Sequence, residues 1–510
     1  MRFFLKNKIY IIIITLIFLF FLFLLKENFQ SKFSIIDDHE VINNVLRIKK
    51  ISFIPNYIEL IKDDIINSRF RLSYWFLRNI EFLLFGYNHF FYYLFHFISI
   101  TTGFILLYLT FFYFFKKNFI LSILTILLIS LNPLWSDIYT RLAPNERYSF
   151  FFLSIWFFLL RLILESKKIS FSKNLLFLLS VFLVSFSKEN FLIFIPISFL
   201  LQIFFVVKKS PSKFVITFSF FYFLLITLIT FLFVFKIKST GLDVYGRPTS
   251  FLFRFLVIKN NLKDIVFNYG LIESFFWLTF ALFSKKNFNL IIGIFNIVLF
   301  IMILVFNYFI NLGQFLAARY FFPISVVKFY FLPIFYFLSH DNKSKKISFN
   351  LKFINILLFI YLIINFIFVY QNFYTFQDSI KNKNTWTFNF NHYLDKIIDI
   401  NKNQGIKNII FIYEAPYYEQ MFSTMTFLNY KNFIGRKYVL LPYSCTQYQN
   451  SSLEKKLCEI LIKNKKKFQG IYKFELININ KLNQIQGACL MISSSSQNLM
   501  DKCKKIINYF

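Results

Sequence analysis

Apolar residues in this chain run in blocks of about 17 to 22, the length of helix that crosses a bilayer's hydrocarbon core. The first block, residues 9–25, follows Arg2, Lys6 and Lys8. Later blocks fall near 90–115, 119–135, 148–164, 175–186, 191–207, 214–235, 270–283, 288–310, 320–338 and 351–370. That predicts about eleven transmembrane helices, with a long loop over residues 26–88 after the first. Lysine clusters punctuate alternate connections: Lys116-Lys117, Lys167-Lys168 with Lys173, Lys208-Lys209 with Lys213, Lys285-Lys286, and Lys343 with Lys345-Lys346. All fall on the same side when the N-terminus is cytoplasmic, as the rule that positive loops stay inside requires. A cleaved signal peptide is the rival for block one. Its apolar stretch is long and ends in Lys26-Glu27-Asn28 without a small-residue cleavage site, which favours a retained helix.

The pattern changes near residue 371. Short β-like runs (408–413, 438–441, 471–478, 488–493) alternate there with helix-like ones (417–428, 452–463, 497–507). The expected fold class is therefore an all-α polytopic membrane protein, residues 1–370, with a small exported α/β C-terminal domain, residues 371–510. Its place is the cytoplasmic (inner) membrane, with the C-terminal domain on the exported side.

Composition sharpens this. Hydrophobic residues are 57% of the 510 and charged ones only 16%, against about a quarter in soluble domains, which excludes a soluble enzyme and a disordered chain. The net charge of +32 would suggest nucleic acid on a soluble protein. Here much of the lysine excess flanks apolar blocks, and no nucleic-acid-binding motif accompanies it, so no nucleic-acid partner is expected. All four cysteines, Cys445, Cys458, Cys489 and Cys503, lie in the C-terminal segment, which suits two disulfides in an exported domain; three pairings are open. No CxxC or Cys/His spacing points to zinc.

Ionisable residues outside the lysine anchors concentrate in the loops predicted to be exported. Just past block one comes Ile35-Ile36-Asp37-Asp38-His39-Glu40. Adjacent carboxylates near an apolar surface raise one another's pKa, which suits a general base; a solvated acidic turn is the plainer alternative. A second loop runs from Asn132-Pro133 through Asp137 and Arg141 to Glu146-Arg147. A third is Ser187-Lys188-Glu189, in an otherwise apolar hairpin where a mutual Lys188–Glu189 ion pair is the structural alternative. Gly246-Arg247-Pro248 and Arg319-Tyr320 with Pro323 complete the set. Carboxylates and fixed cations on one face of a membrane suit transfer from a phosphate-linked lipid donor, with a base for the acceptor and Arg or Lys for the leaving phosphate.

This order of elements resembles the GT-C membrane glycosyltransferases that use polyprenyl-phosphate-linked sugars. The local matches are closest to the transmembrane part of the TMTC-type O-mannosyltransferases and their bacterial relatives. Asp37-Asp38-His39 is similar to that family's acidic first-loop motif, and Phe70-Arg71-Leu72 with Phe85-Gly86-Tyr87-Asn88 to its stretch before span two. Asn132-Pro133 with Asp137, Ser187-Lys188-Glu189, and Arg319-Tyr320 with Pro323 resemble three further family loops. The similarity covers roughly residues 1–340, with Leu72, Asn132 and Asp137 standing where the family has Pro, His and Glu, and with no tetratricopeptide repeats following.

The resemblance implies an inverting displacement at the exported face. Asp37 or Asp38 would deprotonate the acceptor hydroxyl of a glycan, lipid or protein. Asp137 and Glu146 would hold the acceptor, orient the base or bind a divalent cation where a family member uses one, and Glu189 would belong to the donor- and acceptor-binding set. Arg141, Arg147, Lys188, Arg247 and Arg319 would hold the lipid phosphate, with Arg319 and Lys188 the closest motif matches. Tyr417, Tyr418 and Tyr430 could stack on sugars, although core packing is the commoner role in so aromatic a chain. The competing functional readings are a transporter or flippase, another envelope-polysaccharide enzyme, and a catalytically silent scaffold. Transporters tend to carry charges or Gly/Pro breaks at span midpoints and repeated halves, features with little trace here.

Overall fold

The computed structural model describes residues 2–33, 38–66, 69–132, 135–142, 144–209, 211–239, most of 356–405, 407–412, 418–440, and short strands at 475–477, 488–491 and 505–508. The described chain is mostly helical. Its first eleven α-helices are α1 (Arg2–Leu25), α2 (His39–Ile51), α3 (Phe53–Ile66), α4 (Leu72–Phe85), α5 (His89–Phe114), α6 (Phe119–Ser130), α7 (Trp135–Thr140), α8 (Glu146–Glu165), α9 (Phe171–Ser185), α10 (Phe194–Lys209) and α11 (Lys213–Ser239). Short 3-10 turns occupy Lys26–Gln30 and Glu189–Ile193.

Among the described residues four stretches are long and apolar enough to cross a membrane: Ile11–Gln30, His89–Phe114, Glu146–Glu165 and Lys213–Phe233. Three further predicted spans coincide with shorter apolar helices. The block at 119–135 divides, because α6 stops at Ser130 and α7 starts at Trp135. Twelve residues of helix extend only about 18 Å, short of a hydrocarbon core of about 30 Å. The predicted spans at 270–283, 288–310 and 320–338 lie outside the described residues, and that at 351–370 is described in part.

The chain divides into two compact units. The first comprises residues 1–26, 53–80 and 93–381. Its packing is aromatic and close. Phe104 of α5 stacks on Phe21 of α1, their ring centroids 4.6 Å apart, and meets Phe150 of α8 at 4.7 Å. Gly103 lets the α5 backbone approach that ring, since a Cβ there would lie 2.6 Å from Phe150. Polar side chains tie α9, α10 and α11. Asn174 Nδ2 donates to Ser219 Oγ at 2.9 Å, and Gln202 Nε2 donates to Asn174 Oδ1 at 2.8 Å and to Ser219 Oγ at 3.0 Å. In an apolar setting such hydrogen bonds fix which helices pair and at what height.

The segment expected as a long loop, 26–88, folds mainly into α2, α3 and α4. Asn56 and Asn79 lock α3 to α4, with Asn56 Nδ2 donating to Asn79 Oδ1 at 2.6 Å and Asn79 Nδ2 to the Phe53 carbonyl at 2.8 Å.

The second unit joins residues 27–52 and 81–92 to 382–510. Helix α12 (Phe373–Asn403) leads, through Gly405 at φ 66°, into β1 (Asn408–Ile412), α13 (Tyr418–Tyr430) and β2 (Arg436–Leu440). Strands β3 (Glu475–Ile477), β4 (Ala488–Met491) and β5 (Lys505–Asn508) complete a parallel sheet ordered β3-β2-β1-β4-β5. The register aligns Ile410 with Tyr438 on one side and with Cys489 on the other. Four strands and α13 match the expected runs closely. The expected helix at 497–507 ends instead in β5, where Ile506 and Ile507 pair with Cys489 and Leu490. Adjacent β-branched residues suit an edge strand, and so short an apolar run carries no decisive period. The expected helix at 452–463, and Cys445, Cys458 and Cys503, lie outside the described residues.

Part of the first loop belongs to this second unit. Asn391 on α12 donates to the Phe33 carbonyl at 2.9 Å, and the Phe33 ring lies 6.1 Å from Phe427 on α13. Asp395 accepts from Lys431 and lies 3.5 Å from Lys32 Nζ. Partial burial opposes the Asp395 charge, but Lys431 and Lys32 outweigh it and hold the carboxyl below the usual aspartate range.

Two outcomes follow. A Cβ at Gly435 would fall 1.9 Å from the Lys407 carbonyl oxygen, so Gly435→Ala forces the start of β2 away from β1. We expect a loss of about 2 kcal/mol or more, read as accelerated limited proteolysis of the C-terminal segment. For Asp395, a lowered folded pKa means that its stabilisation is full above the unfolded value of about 4 and fades as pH falls through the folded one. The wild type should therefore melt above Asp395→Asn at pH 6, and the gap should close as pH falls below about 4.

Candidate functional site

The expected site residues divide between the two units. Asp38 lies in the second, fully buried at the N-terminus of α2, where its carbonyl accepts from Val41 N–H at 3.0 Å. Its carboxylate makes no capping hydrogen bond to the helix, so its burial is not explained by ordinary capping. Asp37 lies outside the described residues, as do Arg247 and Arg319. Tyr430 is 38% exposed and packs its ring 4.8 Å from Tyr87.

In the first unit, three sequence-distant segments meet. The turn after α9 presents Ser187, Lys188 and Glu189, all buried. Glu146 opens α8, where a carboxylate is favoured by the exposed N–H groups of the first turn. Lys188 Nζ donates to Glu146 Oε1, and both side chains are buried. Next to this pair, Ser149, three residues after Glu146, and Ser187, just before Lys188, share a hydroxyl hydrogen bond of 2.7 Å.

Glu189 turns the other way. Its Oε1 accepts the Phe70 N–H at 3.0 Å, fixing the stretch just before α4. Ser73 secures the same stretch, its N–H donating to the Phe186 carbonyl at 3.1 Å and its Oγ to the Leu183 carbonyl at 2.6 Å. Between these anchors Arg71 forms a two-pronged pair with Asp64, Nε to Oδ2 at 2.9 Å and Nη2 to Oδ1 at 2.5 Å. Burial disfavours the guanidinium charge, but Asp64 and then Glu189 more than offset it, so Arg71 is held above its ordinary pKa and stays charged. Its guanidinium carbon also sits 5.2 Å from the Tyr74 ring and 5.1 Å from Trp75.

Tyr74 meets Tyr148 edge-on at 5.3 Å, and the Tyr148 hydroxyl accepts from both Arg147 and Arg78, the latter at 3.4 Å. Arg147 Nη1 further contacts His96 Nδ1 at 3.3 Å. A continuous polar network thus runs from Asp64 through Arg71, the tyrosine pair and the two buried arginines to His96, beside the Lys188–Glu146 pair. It holds four cations, Arg71, Arg78, Arg147 and Lys188, and three carboxylates, Asp64, Glu146 and Glu189, all buried. A cluster so balanced, with a slight excess of positive charge, is suited to receive an anionic group such as a phosphate.

The structure brings together Glu146, Arg147, Lys188 and Glu189 of the expected set. Asp137 on α7 and Arg141 just after it are half-buried. The suggested Lys188–Glu189 mutual pair is not formed; the two side chains serve different partners. Sequence reading missed Asp64, Arg78, His96 and Tyr148 as members. Asp64 and Arg71 carry a faint signal, two opposite charges seven residues apart across a helix end, whereas Arg78 lies in the segment read as a loop, and His96 and Tyr148 lie on helices otherwise read as apolar. Among the described residues no group of three or more His, Cys, Asp or Glu is arranged to hold a metal ion. Glu146, for which the resemblance leaves acceptor, base-orienting and divalent-cation roles open, accepts from Lys188 Nζ. No known protein family, no curated protein and no solved structure matches this chain.

Proposed function

We propose that this chain is an integral-membrane glycosyltransferase that moves a sugar from a polyprenyl-phosphate-linked donor to an envelope glycan, lipid or protein on the exported face. One observation carries the reading. Two segments that the resemblance assigns to donor and acceptor binding, Glu146-Arg147 and Lys188-Glu189, join the Phe70-Arg71 motif in one buried charged network. Burying a charge is costly even when it is paired, and an apolar replacement of a buried pair is often as stable or more so. A membrane protein that concentrates seven such groups therefore gains something other than stability from them.

In the proposed reaction the acceptor oxygen attacks the anomeric carbon while the bond from that carbon to the donor phosphate oxygen breaks. The hydroxyl proton passes to Asp37 or Asp38, and the polyprenyl phosphate leaves as an anion with inversion at the sugar. Lys188 and the neighbouring arginines stabilise the charge that develops on the leaving phosphate, where fixed cations in a dry setting are most effective. The exported orientation and the count of about eleven spans belong to this same proposal.

The test is transfer of labelled sugar from a panel of polyprenyl-phosphate donors in membranes carrying equal amounts of wild type, Asp37→Asn or Asp38→Asn. One substitution should lower transfer by roughly 10²- to 10⁴-fold, the usual contribution of a general base. Transfer indifferent to both would remove the base assignment. No transfer from any donor by the wild type would leave the flippase and scaffold readings in its place.

A further inference from the structure

Helices α9 and α11 run side by side, and the end at which both begin carries charge that the chain does not balance. Asn174 on α9 donates to Ser219 of α11 at 2.9 Å, and one turn further on the Leu178 carbonyl accepts from the Tyr222 hydroxyl at 2.6 Å. Contacts that advance together along both helices mean that the two point the same way. Lys173, in the first turn of α9, and Lys213, the first residue of α11, are exposed at that shared end. Lys167 and Lys168, also exposed, lie in the connection that leads into α9. The sequence holds no Asp or Glu from residue 166 to 188 or from 190 to 242. Neither Lys173 nor Lys213 forms an ion pair among the described residues.

An exposed apolar lane starts beside these lysines. The Phe171 ring lies 5.3 Å from both Phe214 and Phe218 of α11, which joins the two helix starts. Phe214, Phe221, Leu225 and Leu228 recur at i, i+7, i+11 and i+14, one stripe of α11, and each is more than half exposed. The stripe rises about 21 Å, more than one leaflet's half of a hydrocarbon core of about 30 Å. Hydrogen bonds among Asn174, Gln202 and Ser219 fix the spacing of α9 and α11 close to Lys173.

We propose that the α9–α11 seam binds a phospholipid of net negative headgroup, its phosphate held between Lys173 and Lys213 and an acyl chain laid along the stripe that starts at Phe214. Two complementarities meet here. A free phosphate would answer the lysines and leave the stripe bare, and a neutral phospholipid would cover the stripe without balancing the charge. An anionic lipid does both, since its charge and its chain are joined at the spacing of the lysines and the rings. Scattered basic residues attract a diffuse layer of such lipids, whereas two lysines on helices locked together by hydrogen bonds hold one headgroup in place. The seam begins at the opposite end of α9 from Lys188 and shares no residue with the charged network. It stands whether or not the chain transfers sugars.

The experiment uses the full chain in phosphatidylcholine nanodiscs carrying a trace of either phosphatidylglycerol or phosphatidylcholine with a diazirine in the acyl chain. After illumination, adducts on residues 214–228 are located by mass spectrometry. Wild type should give phosphatidylglycerol adducts on this stretch about tenfold above phosphatidylcholine adducts. Lys173→Gln combined with Lys213→Gln should lower the phosphatidylglycerol yield about tenfold, to the phosphatidylcholine level. Lys49→Gln combined with Lys50→Gln removes the same charge from exposed positions on α2 and should leave the yield unchanged. Excess glycerol phosphate should not displace the lipid. Equal yields from the two lipids in wild type, equal losses in the two double variants, displacement by glycerol phosphate, or a stripe labelled by neither lipid would each overturn the proposal.

Discussion

The cost of holding charge away from water governs this structure. Lys188 and Glu146 lie buried where the turn after α9 meets the first residue of α8, and each offsets the cost of burying the other's charge. The requirement propagates outward. Lys188 can reach Glu146 only if α9 ends where it does, and the adjacent Glu189 then faces the chain before α4 and captures the Phe70 N–H. That bond, with the two made by Ser73, sets Arg71 against Asp64. The start of α4, the end of α9 and the start of α8 are therefore positioned by charge pairing, while the aromatic packing of Phe21, Phe104 and Phe150 fixes the apolar bodies of the helices.

The second unit follows a different logic. A parallel sheet needs helices to link its strands, and α13 provides the link between β1 and β2. The hold on Phe33 by Asn391 and Phe427 enlists the first loop into this unit, just ahead of Asp37 and Asp38. A carboxylate proposed as a base is thereby preceded by a residue whose backbone and ring are both fixed.

Much of the architecture was legible from pattern alone, because bilayer-length apolar blocks and short alternating runs have distinct periods. Helices α1, α5, α8 and α11, and strands β1 and β4, lie where those periods put them. The failures have physical causes. Residues 26–88 read as a loop because their amphipathic helices are shorter and more polar than spans, and β5 read as helix because its apolar run is too short to show a period. Within the site, Glu146, Arg147, Lys188 and Glu189 stood out because ionised side chains are rare in so apolar a setting. Their distant partners did not: His96 lies 51 residues from Arg147 and the Phe70 N–H 119 from Glu189, and contacts at such separations are decided by helix packing. Arg78, His96 and Tyr148 became visible only when α4, α5 and α8 were set side by side.

The claim that the buried charges serve chemistry more than stability is tested most directly by a double-mutant comparison at Lys188 and Glu146. Stability and sugar transfer would be measured for Lys188→Met, Glu146→Leu and the two combined. Each single change leaves a buried charge without its partner and should cost about 3–5 kcal/mol, whereas the double change should recover most of that loss. The recovered, folded double variant should have lost transfer. A double variant as stable as the wild type that transfers sugar at the wild-type rate would contradict it.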